Sequence, residues 1–99
     1  MFISQFTLES DKTNEQTLKA IMKKKMSETM NAAGLLSFEC WVNETQEKIA
    51  YSHVIKWESK EHFQICVRES HAKGGGVKKP ELPITKTVRQ YEWVDIDLL

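Results

Sequence analysis

Long apolar runs are missing from this 99-residue chain. Nothing approaches the ~18 consecutive apolar residues of a membrane-spanning helix, so no segment is expected to cross a bilayer. An excess of charge is missing too, since 14 Lys plus Arg balance 14 Asp plus Glu. A neutral chain gives no electrostatic case for nucleic acid or an anionic membrane surface, and neither is an expected partner. Cysteine is scarce. Cys40 and Cys66 lack CxxC spacing, which points to free thiols in a reducing cytoplasm. Histidine is equally thin, and His62 and His71 lack the HExxH spacing, so no metal is expected. The segment Met1-Phe2-Ile3-Ser4-Gln5 has no basic stretch leading into an apolar core, so no secretion signal is read and the expected location is cytoplasmic. What is present is a hydrophobic fraction of 40%, near the globular norm. At this length one core can be buried and two cannot, so residues 1–99 are expected to form one domain.

Apolar periodicity lays out the elements. Residues 2–8 read as a strand, with Phe2, Ser4, Phe6 and Leu8 on one face and Ile3, Gln5 and Thr7 on the other. Thr13 with Gln16 fits a capping box, so a helix is expected from about Asn14. Leu18, Ile21, Met22, Met26, Met30 and Ala33 supply its inner stripe, and Lys23-Lys24-Lys25 reads as a solvated face. Gly34 closes the helix by adopting a left-handed backbone. A hairpin follows, Leu35 to Val42 and Ile49 to Trp57, joined by the polar run from Asn43 to Lys48. In its first strand Phe38, Cys40 and Val42 share one face, with Leu35 and Trp41 on the other. In its second strand Tyr51, His53, Ile55 and Trp57 share one face. Ser59 caps a second helix of about ten residues whose inner stripe holds Phe63, Cys66, Val67 and His71. Ala72 to Pro83 is a loop, because Gly74-Gly75-Gly76, Pro80 and Pro83 cannot sustain a helix. Its Gly-rich run with Lys78 lacks the Gly-Lys-Ser/Thr ending of a phosphate loop. Ile84 to Ile96 is expected as an unusually long strand of about thirteen residues, part of which pairs outside its own domain.

The order β-α-β-β-α-β is the ferredoxin-like α+β pattern, an antiparallel four-stranded sheet with both helices on one face. The other face carries apolar and aromatic side chains that a monomer would leave wet. A homodimer packed sheet against sheet is therefore expected.

With that order, the joint Trp57-Glu58-Ser59 resembles the antibiotic biosynthesis monooxygenase domain family over nearly the whole chain. The shared parts are Gly34 after the first helix, an aromatic-rich hairpin ending in Trp57, Glu58 and Ser59, then Phe63 and a His near the helix end, His71. The Lys78-Lys79-Pro80-Glu81 lead-in and the run from Ile84 to Val94 are also similar, and resemble small haem-degrading monooxygenases of the same superfamily. The resemblance implies a dimeric α+β barrel with a cavity between helices and sheet in each subunit. It implies either a cofactor-independent oxygenase acting on a small hydrophobic, aromatic or quinol-type substrate, or a haem degrader. Against the second, the haem degraders have an Asn on the first strand, a Trp in the second helix and an axial His near its end. The approximate alignment places Gln5, Cys66 and the neighbourhood of Gly75 there, and His71 falls about a turn early.

A cofactor-independent oxygenase needs a base, an aromatic wall and an amide donor. His71 is the candidate base, Trp57 or Trp41 the wall, and Gln5 or Asn43 the donor. His53, Phe63 and Cys66 are further candidates for substrate contact. Each has a plainer explanation. Trp57 packs a strand–helix joint, His71 caps a helix C-terminus, and His53 is a satisfied core or interface residue. His62 reads as solvated, and Cys66 as an inert buried thiol. Without a cofactor the expected activity is oxygenation, with haem as the alternative cofactor. A ligand-binding dimer without catalysis is the third alternative.

Overall fold

A computed structural model describes residues 1–72 and 83–99, with residues 71 and 72 described by backbone alone. The elements are β1 (Phe2–Asp11), a 3-10 turn (Lys12–Asn14), α1 (Glu15–Thr29), β2 (Leu35–Glu44), β3 (Lys48–Trp57), α2 (Lys60–Ala72), β4 (Thr85–Glu92) and a last 3-10 turn (Ile96–Leu98). The sheet runs β2-β3-β1-β4, with every neighbouring pair antiparallel. This is the ferredoxin-like α+β arrangement. The expected glycine-rich loop at 73–82 lies outside the described residues.

The period-two pleat sorts the two sheet faces. Phe2 pairs with Trp57, Ser4 with Ile55, Phe6 with His53 and Leu8 with Tyr51, all on the face beneath the helices. Two apolar clusters form there. Leu18 and Met22 of α1 pack on Leu8 and Ile49 at one end. Phe63 and Cys66 of α2 pack on Phe2, Ile55 and Trp57 at the other. The opposite face carries Gln5 beside Val54, and Trp41 beside Ser52. Trp41 is 60% exposed and Tyr91 45%.

Several expectations need correction. Leu35 lies on the covered face with Phe38, because a bulge between Leu35 and Ser37 shifts the alternation by one residue. The final strand stops at Glu92 rather than Ile96. Glu92 pairs with Phe2, where β1 begins, so the ladder runs out of partner. Trp93 donates its N–H to the Met1 carbonyl (2.9 Å), and Asp95 then accepts from the Asp97 N–H (3.0 Å) to start a turn. The Thr13–Gln16 capping box does not form; Thr13 sits inside the 3-10 turn, and Asn14 occupies the cap without a side-chain bond. Helix α1 ends at Thr29, four residues before Ala33. Ser27 and Thr29 hydroxyls bond back to the Lys24 and Lys25 carbonyls, at 2.8 Å each, a contact that weakens the last turn.

Gly34 does adopt the left-handed backbone, at φ +82°. A Cβ there would collide with the His62 ring. His62 is therefore packed rather than solvated. Its Nδ1 bonds the Ser59 hydroxyl (2.8 Å), and its backbone N–H donates to the same oxygen (3.3 Å), completing the helix cap expected of Ser59. The Glu58 N–H donates to the Gly34 carbonyl (2.8 Å), which ties the α2 start to the turn before β2.

Candidate functional site

Because the helices seat at opposite ends of the sheet, its middle is left uncovered by close packing. A cavity of about 670 Å³ opens there. That volume lies within the range of small-molecule sites. Ser4, Phe6, His53 and Ile55 form its floor, with Val88 and Gln90 continuing along β4. Thr29 of α1 and Phe63, Cys66 and Val67 of α2 wall it.

Trp57 is 1% exposed and borders both the cavity and the apolar cluster. Its indole N–H donates to the Ser4 hydroxyl at 2.9 Å, the partner that a buried indole requires. Phe63 meets it edge-on, with ring centroids 6.0 Å apart, and lies 5.3 Å from Phe2. The result is an aromatic wall fixed by one hydrogen bond and two ring contacts.

His53 is 4% exposed and has its ring set edge-on to Phe38, 4.7 Å between centroids. Among the described residues its ring has no hydrogen-bond partner, yet no fully sealed side-chain nitrogen or oxygen lacks one. The ring nitrogens therefore open to the cavity it lines. Burial, and secondarily the Lys25 charge, push its pKa down to about 4. At neutral pH it is an uncharged imidazole, able to donate from one nitrogen and accept at the other.

Two further groups at the cavity escape sequence reasoning. Lys25 places its Nζ 5.1 Å from the Phe6 ring centroid, and Lys86 does so at 5.6 Å. Burial and then the Lys86 charge lower the Lys25 pKa, while Glu28 and Cys66 partly offset them. Lys25 belongs to the lysine run that reads as a solvated face. The signal that separates it is a helical stripe, since Leu18, Met22, Lys25 and Thr29 follow one another at spacings of four, three and four. The Cys66 thiol is pushed up by burial and by Glu69, against an opposing pull from Lys25, so it stays protonated at neutral pH.

The structure thus brings together Trp57, His53, Phe63 and Cys66 of the candidate residues. Gln5 also borders the cavity, but its amide turns to the uncovered face and donates to the Thr7 hydroxyl at 3.4 Å. Trp41 stands on that same uncovered face, its indole N–H donating to the Glu39 carboxylate at 3.1 Å. The reason is strand alternation, which gives odd-numbered β1 residues and Trp41 to the side away from the helices. The backbone of His71 belongs to α2, and its side chain lies outside the described residues.

The sequence matches no family model and no curated protein. Solved structures do match. A Deinococcus radiodurans protein, provisionally assigned as an antibiotic biosynthesis monooxygenase, superposes with a TM-score of 0.77 at 16% identity, covering 96% of this chain and 94% of that one. The haem degrader MhuD of Mycobacterium tuberculosis, with two haems in its active site, gives 0.68 at 18% identity over 95% and 96% of the two chains. The fold is that of the antibiotic biosynthesis monooxygenase-like proteins. A de novo designed protein, Foldit4, also shares it, with a TM-score of 0.58 at 12% identity over 94% of this chain and 98% of that one. The monooxygenase-like fold therefore carries no chemistry by itself, and function has to be argued from the cavity. Among the described residues no helix is long and apolar enough to cross a membrane.

Proposed function

We propose that the chain is a small monooxygenase-type enzyme that oxidises a hydrophobic aromatic or quinol-type substrate with molecular oxygen and without a bound metal. The observation that carries this reading is the 670 Å³ cavity walled by Trp57, Phe63 and Phe6, with an uncharged histidine on its floor. In such a reaction the substrate supplies the electrons. A quinol ring reacts with one molecule of oxygen to give a hydroxyquinone and water. One oxygen atom becomes the new hydroxyl at a ring C–H carbon, and the other leaves as water with the two hydrogens lost as the quinol becomes a quinone. Loss of a proton starts it, because the anion gives an electron to oxygen more readily than the neutral ring. The protein's share is to stack the ring, accept its proton and keep water out.

In this reading Trp57 and Phe63 stack the substrate, and His53 accepts a hydrogen bond from its hydroxyl. His53, at a pKa of about 4, is too weak a base to hold the proton of a phenol, whose pKa is about 10. His71 takes the role of base. The test is oxygen uptake with model hydroquinones in chelator-treated buffer. His71→Ala should slow it about 100-fold or more, and Trp57→Phe by a smaller factor. Unchanged rates in both variants, or no uptake by the unmodified chain, defeat the reading.

A homodimer through the uncovered sheet face belongs to the same proposal. Its support is the exposed Trp41 and Tyr91 on that face. Sedimentation at micromolar protein should give a dimer, and a monomer there would refute it. This reading places the protein in the cytoplasm.

Haem capture is the second reading, favoured by the neutral His53 ring that opens to the cavity. The donor set offers one neutral imidazole, His53, that would hold the iron, whereas the protonated Cys66 thiol does not fit a thiolate ligand. Bound haem would supply oxygen activation at its iron, and the chain's part would be to hold it against the Trp57 wall. Titration with haem should then give a Soret shift at stoichiometric ratio that His53→Ala loses. No shift excludes it.

A further inference from the structure

The charges around the cavity do not follow the charges of the chain. The chain has 14 basic and 14 acidic residues. Among the described residues the cavity lining has Lys25, Arg68 and Lys86 against the single carboxylate of Glu28. Among the described residues neither Lys25 nor Lys86 takes part in an ion pair, although Lys12, Lys19 and Lys48 all do. Both ammonium groups come instead to one aromatic ring, at 5.1 and 5.6 Å from the Phe6 centroid. The face of the ring attracts each of them. Lys25 loses hydration on burial and is repelled by the more exposed Lys86, and that cost is visible in the depressed pKa of Lys25. They come from different elements, Lys25 from α1 and Lys86 from β4, so the convergence is a product of the tertiary fold. An anion near Phe6 would remove the repulsion and replace lost water with charge-assisted hydrogen bonds.

We infer that the occupant of the cavity is an aromatic compound carrying an anionic oxygen, an aryl carboxylate or an aryloxide, whose ring lies along Phe6 and Trp57 and whose oxygen is held by Lys25 and Lys86. This rests on the reading of the cavity as the ligand site, and it names the substrate class of that site. An aryloxide is also the ionised form of a quinol, so the same lysines would stabilise the anion from which oxygenation starts.

The test uses 2-naphthoate and its uncharged isostere 2-naphthamide in calorimetric titrations of the full chain. The naphthoate should bind about ten- to a hundredfold tighter than the amide. Lys25→Gln and Lys86→Gln should each weaken naphthoate binding about tenfold and leave the amide within about twofold. Retained amide binding shows that the variants keep a folded cavity. Lys23→Gln, a change on the exposed side of α1, should alter neither. Equal affinity for the two ligands, or a preference that survives both lysine substitutions, overturns the inference while leaving an aromatic ligand site standing. Failure of both compounds to bind overturns the ligand site and the inference with it. With 2-naphthol, the spectrum of the naphtholate ion on binding at neutral pH assigns the aryloxide as a ligand. Its absence together with a naphthoate preference restricts the site to carboxylates.

Discussion

The two ends of the covered sheet face are built differently. At one end Leu8, Leu18, Met22 and Ile49 make a solid aliphatic cluster under α1, with no polar group among them. At the other, Phe2, Ile55 and Trp57 pack under α2, and the largest side chain is pinned by a hydrogen bond to Ser4 and opens on a cavity. Aliphatic side chains fill space in any of several rotamers and tolerate repacking. An indole tied through its N–H has one orientation, and a wall that must keep a fixed shape beside empty space needs that constraint. The first end holds the fold and the second holds the cavity.

The largest expected effect separates those two jobs. Leu18→Ala should cost about 2–5 kcal/mol in denaturant unfolding and leave the affinity for aromatic probes within about twofold. Trp57→Ala should cost about 3–5 kcal/mol and also lose the probe. If Leu18→Ala abolishes probe binding in protein shown to be folded, the division of labour is wrong.

Acid should act on the hollow end. His53 titrates near 6.5 when unfolded and near 4 when folded. Between those values the unfolded chain holds the extra proton, so falling pH favours unfolding. The full stability contribution is present above the unfolded value, declines as pH drops toward the folded one and levels off below it. Its size, at about 1.4 kcal/mol per pH unit between those two values, is about 3 kcal/mol. His53→Gln should flatten that part of the stability curve, and an equally steep decline in the variant would assign the pH effect to other groups.

A smaller cost is expected at the joint that positions α2. Gly34→Ala forces a left-handed backbone at about 1–2 kcal/mol and displaces the His62 ring. Adding His62→Ala should recover the ring's part of the collision only, because the His62 Cβ, 2.7 Å from the new methyl, remains, and it should not recover the backbone cost. Full recovery in the double variant would show that the positive φ carries no strain. Smallest is Ser4→Ala, at about 1 kcal/mol, from the indole N–H it leaves unpaired. An unchanged melting temperature would mean that cavity water replaces the hydroxyl.

Much of this layout is legible in the sequence, for reasons particular residues make clear. Alternation places Phe2, Ser4, Phe6 and Leu8 on one face, and His53, Ile55 and Trp57 with them, because a pleated strand leaves no other choice. Ser59 and Gly34 announce their roles through backbone chemistry that few other residues satisfy. What escapes is set by contacts distant in the chain. The Leu35 bulge depends on pairing with β3, and the end of β4 depends on where β1 begins. Lys25 looks like its two neighbours because three consecutive lysines hide which one the helix turns inward. Gln5 is a candidate for its amide chemistry, and only the strand register shows that the amide turns away from the cavity.

The burial of Trp57 has an optical consequence. The other two tryptophans, Trp41 and Trp93, are well exposed. In the monomer an aqueous quencher will extinguish them first and leave a blue-shifted emission from Trp57 alone, whereas the proposed dimer would shield Trp41 as well. That residual light is a built-in gauge of whether the chamber beside it is wet, dry or filled, readable without a label and without knowing what fills it.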